Sequence, residues 1–408
     1  MSYPELEVLN GYVSRVFRVE DVTSGDSQKM IARYRGRLLN DDTVAAYDQL
    51  AELVKPYGIT PLFRKEDGRQ VVYLITTPAI PKPRARFYVN VVLFILTVIS
   101  MLLMGVDIPP ESIPVNGSIP LSLLFLNILS GWPFALSMMG ILFAHEMGHY
   151  IACRIYKVPA TPPFFIPAPF LSPLGTLGAF IAMRGIPKNK RILFDVGVAG
   201  PIAGLVIAIP VVFIGLMLSH LGPIEPAASG SSGFLEGNSI FYLFAKFAVF
   251  GKLLPEPVNY GGLSPILYWF RYFFSGQPIP LHGLDVQLHS VALAGWAGLL
   301  VTALNLVPVG TLDGGHVAYG LFGEKAKKIF PVAIGVLVAL MILPGLLIPS
   351  GSFNFSWLLW VMILFWLGNV RTQPLDDITE LDPTRRAIGY TMLFAFILLF
   401  TPIIMVAY

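Results

Sequence analysis

Residues 143–150 read FAHEMGHY, and they lie inside an apolar run that covers roughly 127–153. On a helix, His145 and His149 stand one turn apart on the same face, so both imidazoles can reach a single Zn²⁺. Glu146 lies beside them, placed to take a proton from a metal-activated water. The competing reading is that these residues only pair with one another inside a helix bundle. Titratable groups at membrane depth are costly and usually functional, which weighs against it. One run of sequence thus carries two expectations: a zinc site, and a helix in a bilayer.

Composition supports the bilayer. Of 408 residues, 55% are apolar and 13% charged, where soluble domains carry about a quarter charged residues. A formal charge of +3 is too small to suggest a nucleic-acid partner. The single cysteine, Cys153, excludes an intramolecular disulfide and a Cys-based metal cluster. Neither a secretory signal nor a transit peptide is expected, since the first apolar run starts near Phe87 and Glu5, Glu7, Glu20 and Asp21 stand early.

Working outward, seven spans are expected near 87–106, 127–153, 192–218, 287–307, 329–348, 355–370 and 387–407. Lys82, Arg84 and Arg86 precede the first, Arg154 and Lys157 follow the second, and Lys188, Lys190 and Arg191 precede the third. Lys325, Lys327, Lys328, Arg371, Arg385 and Arg386 continue the pattern, while loops 107–120 and 349–354 carry no basic residue. This bias predicts a cytoplasmic N-terminus and an outer Tyr408. Residues 161–186, apolar but studded with Pro and Gly, suggest a re-entrant segment. Two aromatic stretches within 237–275 suggest helices lying at the outer interface.

Residues 1–80 differ from this. Alternation over 11–19 and 28–37 suggests strands, 41–55 has helical spacing with Asn40 or Asp41 as N-cap, and 59–65 with 69–76 suggests a hairpin around Glu66-Asp67-Gly68. The fold class expected is an α-helical polytopic membrane protein of about seven transmembrane helices with a re-entrant segment, preceded by a small soluble α+β domain (1–80). A basic, Pro-rich linker (81–86) joins it to a membrane domain (87–408).

Two histidines leave a tetrahedral zinc one protein ligand short, apart from water. Asp313, in NLVPVGTLDGGH (305–316), is the strongest candidate, because it closes the fourth span on the same face as the His145–His149 turn. Its competing reading is a solvated helix-end carboxylate. His220 and His282 fall in outer loops, His289 begins the fourth span on the wrong side, and His316 suits a lining role better than a ligand's.

HEMGH, then AGPIAG (199–204), then NLVPVGTLDGG (305–315) resembles the site-2 protease family of intramembrane metalloproteases, with its motifs in order. The run AGWAGLLVTALNLVPVGTLDGGH (294–316) is similar to the branch shared by cyanobacteria and chloroplasts, and by some other bacteria and archaea. The resemblance implies zinc on His145, His149 and Asp313, with Glu146 as general base. It aligns Asn305 with the asparagine of an NxxPxxxxDG stretch, where its amide could bind substrate backbone or oxyanion, or serve only as helix–helix glue. Gly200, Pro201 and Gly204 become close-packing support, and the segment around Gly175–Phe180 becomes a hairpin that could take a substrate by strand addition. Single-span transmembrane proteins in a prokaryotic cell membrane are the implied substrates. A metal transporter using the same His/Asp site is the alternative, as is an inactive scaffold. Neither explains a Glu beside the helical His pair with all catalytic residues present.

Overall fold

The structure, a computed structural model, describes residues 4–25, 30–78, 87–108, 120–226, 233–347, 357–368 and 373–408. Leu9, Val13 and Val16 are buried at helical spacing, so the chain forms α1 (Leu6–Val13) where alternation over 11–19 suggests a strand. Only the end of that stretch extends, into β1 (Phe17–Ser24), which pairs with β2 (Met30–Leu38). Next comes α2 (Thr43–Val54), capped by Asp42, whose carboxylate accepts from the Ala45 N–H at 3.0 Å. The cap is therefore one or two residues later than expected. The hairpin β3 (Ile59–Glu66) and β4 (Arg69–Thr76) forms as read, with Asp67 and Gly68 at positive φ in its turn. The antiparallel sheet runs β1-β2-β4-β3, and its apolar face closes on Leu9, Val13, Leu50 and Val54 as a core of its own. The expected linker 81–86 lies outside the described residues.

The remaining chain is mostly helical. It runs α3 (Phe87–Met104), α4 (Leu121–Leu126), α5 (Trp132–Ile155), β5 (Phe164–Pro167), β6 (Thr176–Phe180) and α6 (Lys190–Leu218). Then follow β7 (His220–Pro223), β8 (Phe234–Glu236), α7 (Ile240–Phe250), α8 (Pro265–Ser275), β9 (Leu284–Gln287) and α9 (Ser290–Asn305). The chain closes with α10 (Asp313–Phe322), α11 (Ile329–Leu347), α12 (Leu358–Leu367), α13 (Pro383–Leu399) and β10 (Met405–Ala407). Among the described residues, four helices are long and apolar enough to cross a membrane: Phe87–Met104, Ile128–Ile155, Lys190–Leu218 and Asp313–Leu346. Helix α5 buries Met138, Ile141 and Leu142 and leaves Leu136, Phe143 and Ile151 exposed. A helix apolar on both faces suits a hydrocarbon surround.

Two stretches take the local form expected of them, and one expectation changes. Residues 161–186 form the antiparallel pair β5–β6, with Phe165 opposite Ala179. The stretches in 237–275 are helices, α7 and α8. The last expected span stops at Leu399, because Pro402 has no N–H to continue the ladder. The chain then extends, and Met405–Ala407 pairs with Phe234–Glu236.

Helices α5, α6 and α9 pack against one another at the centre. On one end, the segment 375–377 ties the two cores together. Phe63 N–H donates to the Leu375 carbonyl, while Leu375 and Asp376 N–H donate to Pro187 and Lys188 at the entry to α6. Leu375 and Ile378 pack onto the N-terminal core.

On the other end lies a buried charge cluster. Lys246 of α7 is fully buried, 2.8 Å from Glu236 and 3.5 Å from Asp285. Burial pushes Asp285 up to about 6, against the opposing pull of Lys246. Replacing Lys246 by Met leaves two carboxylates facing each other in a dry site, at a cost of about 3–5 kcal/mol. A carboxylate whose folded pKa is raised is penalised above that pKa and relieved below it. Thermal melting of Lys246→Met should therefore show a large loss at alkaline pH that narrows as the pH falls. Because the lysine that lowers Asp285 is gone, the narrowing should begin above the parent's value of about 6. A pH-independent deficit would contradict this account.

Candidate metal centre

Helix α5 carries His145, Glu146 and His149, all buried. Asp313 reaches them from another element, as the first residue of α10. The connection from α9 to α10 folds tightly over that helix start. Gly310 turns at φ +60°, and a Cβ on Gly314 would lie 1.9 Å from the Leu306 carbonyl oxygen. Only glycine permits that approach, which brings the Asp313 carboxylate back against α5.

The three donor atoms form a near-equilateral triangle. His145 Nε2 lies 3.2 Å from His149 Nε2, and Asp313 Oδ2 lies 3.2 Å from each. Ligand atoms about 2.0–2.1 Å from a tetrahedral zinc sit about 3.3 Å apart. These residues therefore fit the ion and could hold it. His149 Nδ1 lies 2.7 Å from the Val196 carbonyl, so it donates there and leaves Nε2 for the metal. Asn305, the last residue of α9, places Nδ2 3.3 Å from His145 Nε2. Glu146 shares the wall of the same cavity, of about 180 Å³, with its carboxylate against the backbone N–H of Ile181. His316 lines this cavity but stands outside the ligand triangle. His289 caps α9, accepting from the Val291 N–H at 3.2 Å.

Helix α6 makes room for the imidazoles. A Cβ on Gly200 would lie 2.1 Å from His149 Nε2, and one on Gly204 would lie 3.2 Å from His145 Nδ1. Gly197 continues the stripe against His316. Sequence reading identifies Gly200 and Gly204 but misses Gly197, although its three-residue spacing was available. It could not find the Val196 carbonyl, a backbone group that no residue type announces.

Alanine at Gly200 gives a clean test. In an ordinary helix, Gly→Ala stabilises by about 1 kcal/mol. Here the methyl collides with the His149 ring, so Gly200→Ala should weaken zinc affinity by about 10–100-fold, as loss of an outer-sphere partner does. Metal titration by competition with a chromophoric chelator measures it. Unchanged affinity would mean that the ring does not lean on α6 as described.

Residues 133–344 match the family model described as Peptidase family M50. The chain is 30% identical over 331 residues to "Probable zinc metalloprotease EGY1, chloroplastic" of Oryza sativa subsp. japonica, covering 78% of this chain and 51% of that protein. It is 29% identical over 330 residues to the Arabidopsis thaliana protein of the same name, covering 78% and 53%. With "Probable zinc metalloprotease EGY2, chloroplastic" of Oryza sativa subsp. indica it shares 29% over 261 residues, or 64% and 40%. The chain thus spans about half the length of the curated relatives it matches most extensively. No solved structure matches it.

Proposed function

We propose that this chain, which belongs to peptidase family M50, the site-2 protease family, hydrolyses peptide bonds of transmembrane substrates within or near the bilayer. The observation that carries the reading is the triangle of His145, His149 and Asp313 donor atoms beside Glu146, on a helix apolar enough to span. Zinc bound there would act as a Lewis acid, acidifying the attacking water and polarising the scissile carbonyl. Glu146 takes the water's proton and delivers it to the leaving amine. Asn305 donates its amide N–H to the substrate backbone at the reacting carbonyl. A substrate helix hides its peptide bonds in its own ladder, so it must unwind locally before reaching Glu146. The pair β5–β6 could hold the unwound segment by strand addition, since Ala179 and Phe180 line the cavity.

In this reading the membrane part makes seven crossings, with 161–186 re-entrant and α7 and α8 at the outer interface. Residues 1–80 form a separate domain on the cytoplasmic or stromal side, as the basic flanks favour. The relatives named above are chloroplastic, which does not fit the expected prokaryotic cell membrane. The sidedness argument holds for either membrane. The substrates proposed are single-span membrane proteins.

The test is reconstitution of the full chain in vesicles with a single-span substrate containing helix-breaking residues. Cleavage that stops on chelation with 1,10-phenanthroline and returns with zinc is expected. Intact substrate accompanied by zinc flux across the vesicle would overturn proteolysis in favour of transport.

A further inference from the structure

A second cavity, of about 270 Å³, opens beside the metal centre, and His145, Glu146, Ala179 and Asn305 line both. From Asn305 it follows α9 back through Leu304, Leu300 and Trp296. These last three residues recur every fourth position, so they form one wall rising about 12 Å from Leu304 to Trp296. Leu174 and Leu177 of the hairpin region, Trp360 of α12 and Met405 of β10 also line it.

Two polar side chains along this chamber are already engaged. The Trp296 indole N–H donates to the Gly237 carbonyl at 2.8 Å, and the Thr176 hydroxyl donates to the Ile166 carbonyl at 2.8 Å. Beyond Asn305 the chamber offers mainly hydrocarbon, and no charged side chain lines it there. The metal-side cavity continues instead past Thr311, Asp313 and His316. The two sides of the reacting centre differ sharply in polarity.

We infer that this chamber is a specificity subsite, taking a large apolar side chain next to the scissile bond on the side that runs along α9 towards Trp296. The inference rests on the proteolytic reading and names what that reading leaves open. An apolar pocket that opens on the reacting centre suits an apolar side chain, and a charged one would be stranded there without a partner. Leu300 and Trp360 set its size.

Two measurements test it. In vesicles, single-span substrates are varied at the two positions flanking the cut. One flank should prefer Leu, Met or Phe over Gly or Asp by about 100-fold in kcat/KM, a discrimination a hydrophobic pocket can deliver. Trp360→Ala should shift that preference towards larger side chains, and Leu300→Phe towards smaller ones, both with unchanged zinc content. The same flank preferences in all three proteins would overturn the subsite. The second measurement needs no turnover. With Cys153→Ala and Glu146→Gln as background, Leu300→Cys is crosslinked to a substrate carrying one cysteine at successive positions. Disulfide formation peaking at one position beside the cut is expected; none at any position overturns the subsite. Crosslinking without hydrolysis by the parent protein would instead overturn proteolysis and leave the chamber's role as a side-chain site standing.

Discussion

Glu146→Gln should lower peptide cleavage by at least about 10²–10⁴-fold, the range that a positioned proton carrier contributes. Glutamine keeps the shape of the side chain and can still meet the Ile181 N–H through its amide oxygen. What it loses is a carboxylate able to accept a proton from water and pass it on. Glu146 is not one of the three mutually close donor groups, so zinc content should not change. The pairing of lost cleavage with retained metal is the informative result. Measuring product formation in vesicles alongside zinc content by atomic absorption decides it. Cleavage at the parent's rate would remove Glu146 from the mechanism.

Asp313→Ala should empty the site. Two imidazoles from one helix remain, 3.2 Å apart, with no third protein ligand and no negative charge to balance the ion. The loss should exceed the roughly 10–100-fold that removing an outer-sphere group costs. A bound ion stabilises the folded state in proportion to the logarithm of its concentration over Kd. The melting temperature of the parent should therefore rise with added zinc, while that of Asp313→Ala stays flat. A zinc-dependent rise in the variant would show that the third ligand lies elsewhere.

The Gly200 and Lys246 variants act by different physics. Gly200 acts through volume, since a methyl there would occupy the space of the His149 ring. Lys246 acts through charge, far along the chain from the site, holding Glu236 and Asp285 together. A variant at one should leave the other's readout unchanged, because well-separated sites with no shared partner behave additively.

Much of the site could be read from residue order alone. His145, Glu146 and His149 fall on one helical face because four residues make one turn, which needs no knowledge of the fold. The apolar run around them says bilayer for the same local reason. Local pattern fails where two periodicities compete. Residues 11–19 alternate, yet Leu9, Val13 and Val16 also recur at helical spacing, and burial against Leu50 and Val54 selects the helix. At the last apolar run, hydropathy continues past Leu399, but Pro402 and pairing with Phe234–Glu236 turn the chain into a strand.

Asp313 marks the boundary between the two kinds of information. Its residue type and the glycines after it suggest a ligand, but its partners lie more than 160 positions earlier in the chain. Only the tight fold at Gly310 and Gly314 brings its carboxylate to 3.2 Å from both imidazoles. The same holds for the Val196 carbonyl that orients His149, and for the apolar chamber along α9. Sequence determined the chemistry, because residue type and helical spacing are local properties. Tertiary structure decided the position of the Asp313 carboxylate, the ring orientation and the shape beside the site, because these depend on backbones from distant segments meeting in space.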